Sequence, residues 1–240
     1  MDRKKIIIIG ATSGIGRALA ETLVSEGYIV GITGRREALL RELAASRPDR
    51  YHVREFDVTA VDTNIVHLEA LAAAMGGVDT VIISAGVGDV NESLDFEVEQ
   101  RMIDLNVRAF TQVADWAFNY FKRRGHGHLA AISSIAGIRG SRQAPAYSAT
   151  KAYQITYLQG LRQKAQREQA DIVITDIRPG FVDTPAAKSP VRFWVASLPK
   201  AAEQIHQGLH RRRKVVYVTR RWRLIACVYR WLPGWLHERM

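Results

Sequence analysis

Near its start the chain reads Lys4-Lys5-Ile6-Ile7-Ile8-Ile9-Gly10-Ala11-Thr12-Ser13-Gly14-Ile15-Gly16. The isoleucine run has no helical period and favours a buried parallel strand, while residues from Arg17 to Glu26 favour a helix. In such a strand–turn–helix, backbone N–H groups and the positive helix end point at a phosphate. The spacing, G-x-x-x-G-x-G, differs from the commoner G-x-G-x-x-G, and a plain strand-to-helix turn is the alternative. The flanking elements favour a dinucleotide site.

The second predicted strand, Tyr28 to Thr33, runs into two arginines. A site for NAD usually carries an acid here, which holds the ribose 2′-hydroxyl. This chain has no acid between the strand and Glu37, and it offers Arg35 and Arg36, whose guanidinium groups suit a 2′-phosphate. A solvated helix start is the alternative. We therefore predict NADP(H) as the cofactor in preference to NAD(H).

Strand and helix patterns alternate along the rest of the chain. Further strands are predicted at 51–56, 79–84, 129–133, 171–177 and 214–218, and helices at 61–75, 95–122, 146–168 and 200–209. This alternation indicates right-handed βαβ units. The predicted fold is α/β, a single Rossmann-type doubly wound parallel sheet of about seven strands flanked by helices. We assign residues 1–218 to this domain and 219–240 to a basic, aromatic C-terminal helix.

Small and polar residues follow several predicted strands, at the sheet edge where ligands bind in open α/β folds. They are Asp57-Val58, Ser84-Ala85-Gly86, Ser134 and Pro179-Gly180-Phe181-Val182-Asp183-Thr184. The carboxylate of Asp57 could accept a hydrogen bond from an adenine amino group. Asn106 interrupts an otherwise apolar helix, where a satisfied core amide or a small kink is the alternative to a site residue.

Tyr147 and Lys151 are four residues apart, so they share one face of a predicted helix. A free tyrosine has a pKa of about 10, and a nearby ammonium group favours its phenolate and lowers that pKa toward neutral. The pair is therefore a candidate acid–base site, although simple helix packing also produces this spacing. Ser134 lies thirteen residues before the tyrosine.

Taken together, these motifs resemble the short-chain dehydrogenase/reductase family, in its branch of chains of about 250 residues. They occur in the family's order and span residues 4 to about 184. The sequence departs from the family at Ile9, where threonine is usual, and at Ser84, where asparagine commonly opens the fourth-strand motif. Both positions are mainly structural in the family. The resemblance implies an NADP-dependent oxidoreductase that acts on a ketone or a secondary alcohol.

The resemblance also implies roles for individual residues. Tyr147 would protonate the carbonyl oxygen or deprotonate the alcohol, and Lys151 would lower its pKa and bind the nicotinamide ribose. Ser134 would hold and polarise the substrate oxygen, Asn106 would anchor a water that relays protons from Lys151, and Thr184 would bind the nicotinamide carboxamide. Cofactor contacts are predicted at Gly10, Thr12, Ser13, Gly14, Ile15, Gly16, Arg35, Arg36, Asp57, Val58, Ser84, Ala85, Gly86, Tyr147, Lys151, Pro179, Gly180, Val182 and Thr184.

The positive charge is concentrated at the C-terminus. From residue 211 onward, nine lysines and arginines stand against one acid, Glu238, so this segment holds +8 of the net +10. Three of the five tryptophans lie in the last 19 residues. An amphipathic helix of this composition suits a membrane interface, and packing on the core or on a sister subunit is the alternative. A membrane-bound tail would make an apolar or lipid-linked substrate plausible.

The remaining expectations concern location, partners and metals. A single cysteine, Cys227, fits a reducing compartment, so we expect a cytoplasmic protein or one peripheral on the inner face of a membrane. We expect no nucleic-acid binding, because no known binding module is present. His126 and His128, in a predicted glycine turn, are expected to be solvated rather than to bind a metal. The family resemblance implies a homodimer or homotetramer, and a non-catalytic cofactor sensor is the alternative function.

Overall fold

A computed structural model of the chain describes residues 4–184 and 193–239. Seven parallel strands form one sheet in the order β3-β2-β1-β4-β5-β6-β7. The strands are β1 (Lys5–Ile9), β2 (Ile29–Gly34), β3 (Tyr51–Glu55), β4 (Thr80–Ile83), β5 (His126–Ile132), β6 (Asp171–Pro179) and β7 (Val215–Val218). The order reverses direction between β1 and β4, and such a switch point opens a crevice at the carboxyl ends of the strands.

Helices cover both faces of the sheet. They are α1 (Gly14–Ser25), α2 (Glu37–Ala45), α3 (Val61–Ala74), α4 (Phe96–Ile103), α5 (Phe110–Arg124), α6 (Pro145–Arg167), α7 (Leu198–His210), α8 (Trp222–Trp231) and α9 (Gly234–His237). The fold is therefore the predicted doubly wound α/β sheet.

The isoleucine run of β1 links the two hydrophobic layers. Ile7 and Ile9 belong to the layer beneath α3, α5 and α6, whereas Ile6 and Ile8 belong to the layer beneath α1 and α7. Successive side chains of a strand point to opposite faces, so a run without polar residues fits a strand buried on both sides. β1 is therefore the centre of the core, and the turn that follows it is held at the switch point.

The helix predicted at 95–122 is divided in the structure. A π-helical turn, Asp104–Ala109, separates α4 from α5 and carries Asn106. Single π turns inside α-helices occur frequently at functional sites, since the wider turn redirects one side chain. Asn106, for which a small kink was one alternative, thus lies at a change of helical form.

The turn predicted around the two histidines is shorter than expected. Gly125 ends α5 in the left-handed conformation, with φ of 81°, and His126 already begins β5. His126 is exposed, but His128 is partly buried and its Nε2 lies 2.8 Å from the Thr175 hydroxyl. Burial, together with the positive charges of Arg212 and Lys4, lowers the pKa of His128 to about 4. The prediction of a solvated His128 is wrong because strand pairing draws it into the sheet.

The C-terminal helix is also divided. α8 ends at Trp231, and Pro233 precedes the short α9. A proline lacks the N–H that a continuing helix needs and disfavours helical conformation in the residue before it. None of the helices in the described part of the chain combines the length and hydropathy that crossing a bilayer requires.

Candidate active site

The glycine turn after β1 is closely packed and depends on the absence of side chains. Gly10 and Gly14 have φ of 89° and 58°, a region that favours glycine. A Cβ at Gly16 would lie 2.0 Å from the carbonyl oxygen of Gly10. α1 begins at Gly14, three residues earlier than predicted, so the first backbone N–H groups of the helix lie within the turn itself. This geometry suits a pyrophosphate.

The two predicted arginines lie at the end of β2, beside this turn. The Arg36 guanidinium donates to the Thr12 hydroxyl over 3.1 Å and to the Ser13 hydroxyl over 2.8 Å. Arg35 is exposed and its Nη1 lies 3.4 Å from Oδ2 of Asp57. Both guanidinium groups are thus at the edge of the glycine turn.

Asp57 follows β3 and lines the same cleft as the glycine turn and the two arginines. Burial alone would raise the pKa of its carboxyl, but hydrogen bonds from the backbone and hydroxyl of Thr59, with the charge of Arg35, outweigh burial and lower it. One oxygen of Asp57 accepts both bonds from Thr59. The carboxylate is therefore charged at neutral pH and available as an acceptor at the adenosine end.

Ser134 and Tyr147 come together at the opposite end of the cleft. Ser134 follows β5 and precedes a short 3₁₀ turn, Ile135–Ile138, where its hydroxyl accepts the N–H of Ala136 over 3.1 Å. Tyr147 lies in the first turn of α6, which Pro145 begins in the position that proline favours. The Ser134 hydroxyl lies close enough to the Tyr147 hydroxyl to influence its pKa. A carbonyl oxygen placed against them would meet two O–H donors.

The electrostatics of Tyr147 differ from the prediction. Burial raises the pKa of the Tyr147 hydroxyl, and the hydrogen bond with Ser134 offsets only part of that rise. The Lys151 Nζ lies 5.9 Å from the centre of the tyrosine ring and donates instead to the carbonyl of Ile132, over 3.0 Å. In this structure the lysine therefore does not lower the pKa of Tyr147 as the spacing predicted.

Lys151 is itself strongly perturbed. Burial lowers the pKa of its ammonium group to about 8, and the charge of Asp176 acts in the opposite direction. Nζ also donates to Oε1 of Gln154 over 2.9 Å, and Nε2 of Gln154 donates to the backbone carbonyl of Asn106 over 2.8 Å. The side-chain amide of Gln154 thus joins the two residues between which the resemblance predicts a water. Oε1 of Gln154 and the backbone oxygen of Asn106 each have a second lone pair that can accept a hydrogen bond from such a water.

The Asn106 side chain holds the loop after β4. It is fully buried, its Nδ2 donates to the carbonyl of Val87 over 2.7 Å, and its Oδ1 accepts the N–H of the same residue over 3.0 Å. A Cβ at Gly86 would lie 3.3 Å from the Lys151 Nζ, and one at Gly88 would lie 2.7 Å from the ring of Tyr147. Asn106 therefore fixes the backbone against which the catalytic candidates pack.

One cleft of about 1340 Å³ joins the arginine end to the Tyr147 end. It is lined by all the predicted site residues except Gly16 and Asn106. Gly16 lies behind the turn, near Ser84, and Asn106 lies behind the loop after β4. Thr184 approaches the glycine turn, because a Cβ at Gly14 would lie 3.6 Å from its methyl group. The segment after β6 thus reaches back to the cofactor end.

Large apolar side chains surround the Tyr147 end of the cleft. Trp222 is buried at the start of α8, with ring centres of Phe181 and Phe193 at 5.6 and 5.0 Å. Tyr229, from the same helix, also lines the cleft. The tail predicted as a separate segment therefore forms part of the substrate end.

Known proteins share this fold. The family model for short chain dehydrogenase matches residues 4–192, which is most of the chain. The chain belongs to the short-chain dehydrogenase family. It is therefore an oxidoreductase, and its family uses a nicotinamide cofactor.

Relatives of this short-chain dehydrogenase include an uncharacterised oxidoreductase of Myxococcus xanthus, 35% identical over 187 residues, 76% of this chain and 73% of the relative. An uncharacterised oxidoreductase of Staphylococcus epidermidis is 32% identical over 184 residues, 76% of this chain and 79% of the relative. The crystal structure of a short-chain dehydrogenase from Streptomyces avermitilis superposes with a TM-score of 0.81 at 26% identity, covering 90% of this chain and 88% of the other.

Two buried groups of this short-chain dehydrogenase were missed by the sequence prediction. Gln154 could have been found, because it lies one helical turn from Lys151 on the same face. A second group lies beneath Ser134, where the Ser133 hydroxyl donates to Asp176, and Asp176 pairs with Arg178 over 2.6 Å. Ser133 directly follows β5, and Asp176 and Arg178 lie in β6, so the pairing of these two strands brings the serine to the ion pair.

Proposed function

We propose that this short-chain dehydrogenase transfers a hydride between NADP(H) and a ketone or secondary alcohol, with Tyr147 as the acid–base residue. The proposal is carried by one observation, the neighbouring Ser134 and Tyr147 hydroxyls in a cleft that also contains the glycine turn and two arginines. When bound, the nicotinamide supplies or accepts the hydride.

The residues present fit this cofactor. The turn from Gly10 to Gly16 leaves no room for a Cβ at either end, so a pyrophosphate could approach the backbone. Asp57 would accept from the adenine amino group, and Arg35 and Arg36 would hold the 2′-phosphate. Thr184 would face the carboxamide. The preference for NADP over NAD rests on the two arginines and on the lack of an acid beside them.

The protein's own part in the reaction is proton transfer and orientation. In reduction, the Tyr147 hydroxyl would donate its proton to the carbonyl oxygen while Ser134 holds that oxygen in place. The raised pKa of Tyr147 keeps the hydroxyl protonated and able to donate. Lys151, whose Nζ lies 5.9 Å from the centre of the tyrosine ring, would bind the nicotinamide ribose. The aromatic side chains around Trp222 favour an apolar substrate.

Replacement of Tyr147 by phenylalanine tests this role. We expect turnover to fall by about 100- to 10,000-fold, the range that general acid–base catalysis contributes. NADPH binding, measured by fluorescence titration, should be retained. The matched control is Tyr157→Phe on the same helix, which should keep full turnover. Activity is followed by NADPH absorbance over a panel of ketones and alcohols, including lipid substrates in detergent.

The outcomes separate this function from its alternative. Near-full turnover by Tyr147→Phe would contradict the acid–base assignment. Tight NADPH binding with no turnover on any carbonyl by the wild-type chain would favour a non-catalytic cofactor sensor.

We also propose a homodimer or homotetramer built through the two long helical segments, about 95–122 and 146–168, on the family resemblance. Light scattering at several protein concentrations tests it, and a monomer at all of them would contradict it.

A further inference from the structure

The outward face of the C-terminal tail, residues 219–240, carries a row of exposed apolar side chains. Leu224, Val228 and Trp231 recur at helical spacing on α8, with exposed fractions of 67%, 58% and 80%, and Trp235 on α9 is 62% exposed. We call these four residues the tail stripe. Isolated exposed apolar residues are common on proteins, but four in a row on one helix face and its continuation are not scattered singly.

The tail stripe is held outward by contacts on the opposite face. Trp222 and Ala226 are buried against the core. Arg139 donates to the backbone carbonyls of Tyr229, over 2.9 Å, and Leu232, over 2.7 Å. Because these contacts fix the orientation of α8, the stripe cannot turn inward without breaking them.

Exposed arginines flank the tail stripe along the chain, and the Arg239 guanidinium lies 5.7 Å from the centre of the Trp235 ring. Residues 219–240 contain five arginines, and all of them are exposed: Arg220, Arg221, Arg223, Arg230 and Arg239. Residues 211–240 carry +8 with Glu238 as their one acid. Apolar and aromatic groups bordered by arginine suit the boundary between lipid headgroups and acyl chains, where the rings enter the interface and the guanidinium groups meet anionic headgroups.

We propose that the tail stripe docks this protein on an anionic lipid surface. A second copy of the chain is disfavoured as the occupant, because a two-fold contact between identical stripes would bring two arginine clusters together. An anionic bilayer offers both an apolar interior and the opposite charge. α8 and α9 are too short to span a membrane, so the attachment is peripheral.

The same segment links the membrane to the cleft. Tyr229, His237 and Glu238 line the cleft, while the tail stripe faces away from the core on the same two helices. The cleft is thus separated from the docked surface by about one helix diameter, roughly 10 Å. Resting on the proposed function, this placement points to a carbonyl or alcohol substrate carried in the lipid phase.

Vesicle sedimentation with the full chain tests the docking. We expect the protein to pellet with phosphatidylcholine vesicles that contain one third phosphatidylglycerol, and to remain in the supernatant with phosphatidylcholine alone. Raising the salt to 0.5 M should release most of it, because exposed charges are then screened over a few ångströms. Equal pelleting with both vesicles, or none with either, would overturn the proposal.

Matched variants locate the contact. Leu224→Ser with Trp231→Ser should weaken binding to the anionic vesicles at least tenfold, whereas Ile65→Ser with Val66→Ser, two exposed aliphatic residues of α3, should not. Arg223→Glu with Arg230→Glu should also weaken it at least tenfold, and the same charge change at Arg47 and Arg167 should matter less. Equal losses in variant and control would contradict docking through this face. Far-ultraviolet circular dichroism confirms that each variant is folded.

Two further measurements separate the possible outcomes. If the stripe variants change the oligomeric state in light scattering and wild-type protein ignores the vesicles, the stripe is a subunit contact and the proposal is wrong. Turnover of a water-soluble substrate should be unchanged in the stripe variants, since none of these residues touches the cleft. Tyr147→Phe should bind vesicles like the wild type, so failure of the proposed chemistry would not appear as failure of docking.

Discussion

The cofactor end and the substrate end of the cleft are built in different ways. The cofactor end is mainly backbone, with the turn from Gly10 to Gly16 at the start of α1 and charged side chains at its edge. The substrate end consists of large side chains, among them Phe181, Phe193 and Trp222, from segments far apart in the chain. A backbone site requires an uninterrupted motif, whereas a wall of side chains can be assembled from any elements that meet.

The largest loss of NADPH affinity is expected at Gly16, where the backbone of the cofactor end is most crowded. Gly16→Ala would place a methyl group 2.0 Å from the Gly10 carbonyl oxygen, so α1 must move away from β1. A displacement on the scale of 1 Å can cost about 100-fold, and we expect NADPH affinity to fall by at least that much. Fluorescence titration measures the affinity, and thermal unfolding measures the accompanying loss of stability.

The control for this change is Gly160→Ala, because a methyl group there meets open space within α6. It should leave NADPH affinity unchanged and raise helix stability slightly. A Gly16→Ala protein that binds NADPH normally would show that the cofactor end tolerates side chains after all.

A smaller loss of NADPH affinity is expected when the charged side chains at the edge of the cofactor end are replaced. Replacing Arg35 and Arg36 by alanine removes charge-assisted bonds that together contribute about 1.5–3 kcal/mol at this exposed edge, so NADPH affinity should fall by about 10- to 150-fold. NADH affinity should change little, since it lacks the 2′-phosphate. Arg41→Ala, one turn further along α2, is the control. Equal losses for NADPH and NADH would contradict the 2′-phosphate assignment.

The region between the two ends is tested through Gln154. Gln154→Leu removes an acceptor from the Lys151 ammonium, whose pKa is already lowered to about 8, and should lower that pKa by about one further unit or more. If the ammonium is the active form, activity is lost as pH rises through this pKa, so the alkaline limb of kcat against pH should move to lower pH. Gln154→Glu should move it to higher pH. Shifts in the same direction would show a merely structural role.

The same perturbation makes a stability prediction. The pKa of Lys151 is lower in the folded protein than in the unfolded chain, so between about pH 8 and 10.5 the unfolded chain binds more protons. The burial cost is fully present below about pH 8 and is relieved as the pH rises. Compared with Lys151→Met, the wild-type protein should therefore gain stability over this interval in denaturant titrations.

The smallest effect is expected at the substrate end, through the attachment of the tail. Arg139→Ala removes the bonds to the carbonyls of Tyr229 and Leu232 and should loosen α8. We expect KM for the carbonyl substrate to rise a few-fold, on the order of 1 kcal/mol, with NADPH affinity unchanged. Arg167→Ala is the control. A matching loss of NADPH affinity would mean that the two ends are not independent.

Much of the fold was predictable because its signals are local. The isoleucine run, the glycine turn and the alternation of strands and helices follow from side-chain size and period, and the sheet confirms them. The predictions that failed concern side chains whose partners are set by packing. His128 becomes buried through strand pairing, and the Lys151 ammonium is directed away from Tyr147 by acceptors on β5 and on its own helix.

By itself, the sequence determined the doubly wound sheet, the glycine turn and the residue types of the candidate site, since each depends on spacing within a few turns of chain. Tertiary structure alone decided how these groups are perturbed and which segments complete the cleft. Burial and opposing charge depend on what is packed nearby, as at Lys151 and Asp176. The place of Trp222 against Gly180 likewise follows from packing between segments some forty residues apart, which no local pattern records.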